Sequence, residues 1–173
     1  MKYGLIVGLI VLALVGRLIP HPDNFTPMLA VALFGGAMLP GRMTYLIPLA
    51  AMFLSDLLMG NSVDWMTPVI YGCFAVGTGL GQWLGRSRTW ARTGLATLAG
   101  SILFYVVTNF AVWITPDGLY PHTLDGLIEC YVMAVPFFRN EIAGNFLWTA
   151  MLFGLFDLAQ LWLKAYHPDR LAH

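Results

Sequence analysis

Charged residues are scarce in this sequence. Lys and Arg contribute nine residues and Asp and Glu another nine, so charged residues make up 10% of the 173-residue chain and the formal net charge is zero. There is no run of basic residues, so neither nucleic acid nor an acidic macromolecule is indicated as a partner. A phosphate-binding loop of the Walker A type is also missing, so any use of ATP has to come from another chain.

Cysteine is rarer still. The chain has two thiols, Cys73 and Cys130, which are too few for a disulfide framework. Their spacing does not form the Cys-x-x-Cys pair of a zinc or redox motif. A small secreted disulfide scaffold and a zinc-ribbon protein are therefore both excluded.

Apolar residues dominate instead. They make up 58% of the chain, and the mean hydropathy is +0.72, which is more apolar surface than one soluble core of this length can bury. We therefore expect an all-α integral membrane protein with a single domain over residues 1–173. The run 3–15 has the length of a signal-peptide core, but Arg17 follows Gly16 without a small-x-small cleavage site, so we expect a retained first helix.

Turn signals divide the chain into six apolar segments that we expect to cross the membrane: residues 3–19, 26–39, 43–59, 66–85, 93–114 and 142–163. The second has only 14 residues and would reach about 21 Å as a helix. It is tilted, shielded by its neighbours or only half-crossing. Residues 115–140 read as irregular, and within them 124–138 are apolar but too short to cross, so we expect an interfacial or re-entrant element.

The basic residues orient these segments. The side that carries both termini holds most of them, namely Lys2, Arg42, Arg86, Arg88, Arg92, Lys164 and Arg170. The other side holds Arg17 and Arg139. This bias predicts cytoplasmic termini. The acidic residues show the opposite tendency and fall at the outer ends of the segments: Asp23, Asp56, Asp64, Asp117, Asp125, Glu129 and Glu141.

Polar side chains collect at the predicted outer side. Cys73 lies about two turns inside the fourth segment, roughly 9 Å deep at the helical rise. Polar groups at membrane depth tend to face an interior or a cavity. We therefore expect an outward-opening site that includes Cys73 and the following residues: His21, Asn24, Asp56, Tyr71, Asn109, Trp113 and Asn145.

Structural roles remain open for these residues. Cys73 fits a small buried hydrophobe or a disulfide partner of Cys130 on the oxidising side, and His21 fits a residue of a tight loop. Asp56 fits a salt bridge with Arg17 or Arg139, and the two asparagines fit hydrogen bonds between helices. Glycines at a spacing of four, in residues 4–8 and 77–85, allow close helix approach, for which internal packing is preferred over an oligomer interface.

Several motifs resemble a known family. They are RLIPHPDNFTP at residues 17–27, ALFGGA at 32–37, SDL at 55–57, PVIYGCF at 68–74, TNFAVW at 108–113 and CYVMAVPFF at 130–138. Together they resemble a family of small bacterial membrane proteins. Its best understood members are the BtuM-type predicted cobalamin transporters, relatives of the substrate-binding S components of energy-coupling-factor transporters.

The resemblance implies a six-helix, S-component-like protein of the bacterial inner membrane that captures a corrinoid from the outer side. It implies that Cys73 binds the corrin cobalt axially with the nucleotide base displaced, and that His21 contacts the opposite face or the displaced ligand. Thiolate is a soft donor suited to a transition metal, and its donation would labilise the other axial ligand, including a cyanide. We regard such exchange as part of transport rather than as established catalysis.

A flat, amide-rimmed macrocycle also suits a cavity of aromatic and amide side chains, which these residues would supply: Tyr71, Asn109, Trp113, Tyr131, Phe137 and Asn145. An energising module is an open question, because S components that dock on one carry Ala-xxx-Ala where the first helix here has Gly4-xxx-Gly8.

Three other functions stay open. One is a membrane-bound haem or thiol redox protein that uses His21, Cys73, His122 or Cys130. Its weakness is that His21 and His122 sit in predicted loops, while the remaining histidines, His167 and His173, fall on the cytoplasmic side. The second is an S-component-like binder of another small molecule. The third is a passive structural subunit without a ligand.

Overall fold

A computed structural model describes residues 2–116 and 118–166, and within these residues the chain is helical and has no strand. The helices are α1 (Lys2–Leu18), α2 (Met28–Met38), a short 3-10 helix (Arg42–Tyr45), α3 (Leu46–Met59), α4 (Met66–Gly85), α5 (Trp90–Trp113) and α6 (Leu124–Tyr166). The predicted all-α class is confirmed. Asp117, His167, Arg170 and His173, whose sides were predicted above, lie outside the described residues.

Three of the helical stretches are long and apolar enough to cross a membrane. They are Arg42–Met59, Trp90–Trp113 and Leu124–Tyr166, while α1 and α2 are apolar but shorter. Helix α4 has 20 residues, but its glycines, threonines and Gln82 lower its hydropathy, so it does not join this group. The three long stretches are consistent with association of the chain with a membrane.

Helix α2 is the centre of the bundle. Its residues 28–36 are all buried, and it contacts each of the other five α-helices. Its 11 residues extend about 17 Å, well short of the roughly 30 Å of a bilayer core. The burial of residues 28–36 by neighbouring helices agrees with shielding by neighbours, one of the three interpretations of the second segment.

Glycines bring α2 and α4 into backbone contact. A Cβ atom built on Gly81 would lie 2.3 Å from the carbonyl oxygen of Leu33, and one on Gly36 would lie 2.3 Å from that of Thr78. The internal-packing interpretation therefore holds for residues 77–85. The internal-packing interpretation does not hold in α1. Apart from the backbone of α1 itself, no atom of the described residues lies within 4 Å of a Cβ built on Gly4 or Gly8.

The last helix corrects the prediction for residues 115–163. Residues 124–138 are not a separate re-entrant element, because they form the first part of the 43-residue helix α6, which includes Pro136. Residues 124–138 were judged too short to cross by themselves, but the structure joins them to residues 142–163 in one helix that continues through Pro136. A proline lacks one backbone N–H and crowds the carbonyl group four residues earlier, yet long helices do contain it. The resulting helix is about 65 Å long, more than one membrane crossing requires.

The close approach of α2 and α4 predicts a specific sensitivity. Gly81→Ala should lower the free energy of unfolding by about 1–3 kcal/mol, because the new methyl group meets backbone atoms that cannot rotate away. Gly72→Ala is the matched control on the same helix, since nothing lies within 4 Å of its Cβ position. Thermal unfolding in one detergent, followed by circular dichroism, should show a lower Tm for Gly81→Ala alone. Equal Tm values for the two variants would contradict the packing described here.

Candidate functional site

A cavity of about 420 Å³ lies at the start of α2. All six α-helices and the loop between α1 and α2 contribute to its wall. Its polar lining consists of Arg17, His21, Asp23, Asn24, Thr26, Cys73, Glu141 and Asn145. Asp23 and Asn24 are exposed and mark its mouth. The rest of the wall is largely apolar, with methionine and phenylalanine side chains from α2 to α6.

The short length of α2 creates this cavity. A Cβ built on Gly77 of α4 or on Gly100 of α5 would lie 2.8 Å from the side chain of Leu29, at the start of α2. Both neighbouring helices continue past that level, so the residues one turn further on, Cys73 and Phe104, line space that α2 does not fill. The glycine face of α4 thus also directs Cys73 into the cavity, because positions four apart share one helix face.

Cys73 is a buried free thiol in this wall. Only 5% of the residue is exposed, and it forms no disulfide. Phe74 and Phe104 stack beside it with ring centroids 5.5 Å apart. The second thiol, Cys130, is elsewhere: it lies between α5 and α6 and donates to the Asn109 carbonyl oxygen at 3.4 Å. The structure therefore contains no disulfide between Cys73 and Cys130.

The loop over the mouth places His21 in the same cavity. Its Nδ1 lies 2.7 Å from the Pro22 carbonyl oxygen and its Nε2 lies 3.3 Å from that of Arg17. Asn24 has a positive φ of 62°, a left-handed conformation that asparagine tolerates better than most residues. Prolines on either side of His21 and the turn at Asn24 thus hold the loop across the cavity.

Arg17 connects the cavity to a second pocket. Its Nη1 donates to Ser55 Oγ and to Asp56 Oδ1 at 2.8 Å. The Tyr71 hydroxyl donates to Asp56 Oδ2 at 3.3 Å. Asp56 and Tyr71 line this second pocket, of about 290 Å³, which shares Arg17 with the first. Of the roles considered for Asp56, the salt bridge with Arg17 is present.

Five of the residues predicted for the site do not line this cavity. Asp56 and Tyr71 line the second pocket, and the other three lie on α5 and α6 and bond to those helices or to the loop between them. Tyr131 donates its hydroxyl to the Val106 carbonyl oxygen at 2.7 Å. Trp113 Nε1 donates to the Pro121 carbonyl oxygen at 3.0 Å, and the Asn109 amide donates within its own helix to Tyr105 at 2.8 Å. The sequence indicated the depth of these residues but not which helix face they occupy.

Asn145 takes both of the roles considered for it, as a residue of the site and as a hydrogen-bonding link between helices. It lines the cavity and also joins α6 to α5, since its amide donates to Ser101 Oγ at 2.9 Å. Glu141, one turn before it, lines the cavity as well, with 5% of the residue exposed. The sequence interpretation counted Glu141 only as an outer acidic residue. Its spacing of four from Asn145 was the available signal, because that spacing places both side chains on one helix face.

The site does not present a complete set of metal ligands. Within residues 2–116 and 118–166, no group of three or more His, Cys, Asp and Glu side chains is arranged to hold a metal ion. Cys73 is suited to supply one ligand to a metal that other donors already hold.

The fold and cavity define an all-helical protein with membrane-length helices and a polar-mouthed cavity among them. The chain belongs to DUF6580, a family of unknown function whose model matches residues 1–167. No curated protein and no solved structure matches the chain.

The cavity predicts different access to the two thiols. Cys73 should react several-fold faster than Cys130 with a small neutral reagent such as methyl methanethiosulfonate, because Cys130 is only 1% exposed and lies between two helices. The variants Cys130→Ala and Cys73→Ala each leave a single thiol, whose labelling rate mass spectrometry can follow in detergent. A Cys130 rate equal to or above that of Cys73 would contradict the placement of the cavity.

Proposed function

We propose that this protein captures cobalamin or a related corrinoid from the outer side of the bacterial inner membrane, with the Cys73 thiolate as an axial cobalt ligand. The observation that carries the proposal is the buried free thiol of Cys73 in the wall of an open-mouthed cavity that also includes His21. The resemblance, which runs from Arg17 to about Phe156, supplies the identity of the ligand.

The ligand chemistry agrees with a lone thiol. A corrin ring provides the equatorial donors of its cobalt, so the protein needs to supply only an axial ligand. A soft sulfur donor suits a transition metal, and metal coordination deprotonates a thiol outright. Strong donation from sulfur weakens the bond on the opposite face, so loss of a cyanide from that face accompanies binding in this proposal.

The walls suit an amphiphilic macrocycle. Phe74, Phe104 and Phe137 offer flat apolar surface, while Asn24 and Asn145 offer amide groups to a polar rim. A volume of about 420 Å³ is within the range of small-molecule sites but smaller than a whole cobalamin. In this proposal the remainder of the ligand extends out through the mouth and toward the neighbouring pocket with Asp56 and Tyr71.

The proposed topology has six crossings and cytoplasmic termini. Its support is the separation of charge: Arg42, Arg86 and Arg92 lie in or beside the loops at one end of the helices, and the cavity opens beside the loop of His21 at the other. The positive-inside rule places the arginine end in the cytoplasm.

The structure favours this function over a haem or thiol redox protein. A dithiol exchange needs two neighbouring cysteines, but Cys73 lies in the cavity and Cys130 in the contact between α5 and α6. The second described histidine, His122, interacts with the Thr115 carbonyl oxygen at 3.3 Å and does not line the cavity.

Spectroscopy tests the cobalt ligand. Purified protein mixed with cobalamin should show a corrin absorbance spectrum altered by thiolate ligation. Cys73→Ala should lose this spectrum and bind cobalamin at least about tenfold more weakly, a loss of about 1.4 kcal/mol. Cys130→Ala is the matched control and should leave both unchanged. An unaltered spectrum with wild-type protein, or equal losses in the two variants, would refute the assignment.

Thiol labelling in cells tests the orientation. Ser62 is exposed in the loop between α3 and α4, and Ser87 is exposed in the loop between α4 and α5. A cysteine introduced at Ser62 should react with a membrane-impermeant thiol reagent added outside, whereas one at Ser87 should react only after the inner face is opened. The reverse pattern would overturn the direction of capture.

A further inference from the structure

Glu141 is a buried carboxyl group without a strong partner in the protein. The residue is 5% exposed, and its one hydrogen bond comes from the Asn145 amide to Oε1 at 3.5 Å, longer than an ordinary N–H···O bond. Among the residues that the structure describes, no donor bonds to Oε2. Burial of a carboxyl group with so little compensation is costly, and in native proteins such groups are usually paired.

Arg17 and His21 of the cavity lining already have hydrogen-bond partners other than Glu141. Arg17 forms its ion pair with Asp56, and both ring nitrogens of His21 lie beside backbone carbonyl oxygens. Asp23, the other acidic residue of the lining, is exposed at the mouth. Among the described residues, neither Arg17 nor His21 hydrogen-bonds to Glu141, so its carboxyl group remains available to a ligand.

The hydrogen bonds of Glu141 also contribute little to holding the helices together. Asn145, not Glu141, makes the hydrogen bond across to Ser101 of α5. The single bond of Glu141 stays within α6, so it does not connect two helices. A buried ionisable residue in a helix of membrane length that faces a cavity is, by its cost alone, a candidate functional group.

We propose that Glu141 forms a binding subsite that accepts a hydrogen bond from an N–H group of the ligand. The subsite selects ligands that present an amide or an ammonium group at this position and rejects those that present a carboxylate. The identity of the donor rests on the proposed function: in cobalamin it is one of the side-chain amides on the corrin rim. Cys73 then fixes the metal centre and Glu141 fixes the rotation of the ring about it.

The test pairs changes in the ligand with changes in the protein. Cobalamin and its monocarboxylic acid derivatives, each with one peripheral amide hydrolysed to an acid, are titrated into wild-type protein and into Glu141→Gln, with binding followed by absorbance. Glutamine has the same shape but offers N–H donors to a carboxylate. Glu129→Gln is the matched control, because Glu129 is exposed on the same helix and does not line the cavity.

Wild-type protein and Glu129→Gln should bind one of the acid derivatives at least about tenfold more weakly than cobalamin, since two facing acceptors replace a hydrogen bond. Glu141→Gln should remove this discrimination for the same derivative. Unchanged discrimination in Glu141→Gln, or none in wild-type protein, overturns the subsite while cobalamin binding persists. Failure of wild-type protein to bind cobalamin at all is a different result, which overturns the proposed function and this assignment together.

Discussion

The backbone contact between α2 and α4 is the constraint on which the rest of the structure depends. Gly36 and Gly81 let the two helices approach so closely that a single methyl group at either position would meet a backbone oxygen. This contact fixes α2 in the centre of the bundle, where its neighbours bury it on every side. Because α2 has only 11 residues, the helices around it continue beyond its first turn and enclose a cavity there.

The contents of that cavity follow from the same contact. The helix face of α4 that packs on α2 continues one turn further to Cys73, so the thiol lies in the wall without any special backbone conformation. Glu141 and Asn145 reach the cavity from α6 by the same helical periodicity. The result is a thiol and a carboxyl group in the wall of one open-mouthed cavity with aromatic side chains around them.

Much of this architecture could be predicted from the sequence. The apolar composition gave the helical class, and turn residues placed α4 at residues 66–85, the bounds that the structure has. Depth along a helix, however, does not determine the helix face. Trp113 and Tyr131 were expected in the cavity, but Trp113 bonds to Pro121 in the loop after α5 and Tyr131 bonds to Val106 of α5. Residues 124–138 were also expected to be a separate element because they are too short to cross alone, whereas the structure continues one helix from Leu124 through Pro136 to Tyr166. Glu141 was counted as an outer acid because its burial depends on the neighbours that close the cavity.

The proposed bond between the Cys73 sulfur and cobalt can be measured directly. X-ray absorption at the cobalt edge, measured on purified protein with bound cobalamin, reports the atoms directly bonded to the metal. The account predicts one sulfur atom in the first coordination shell. A first shell of nitrogen, carbon and oxygen atoms alone, in protein that holds cobalamin, would contradict it.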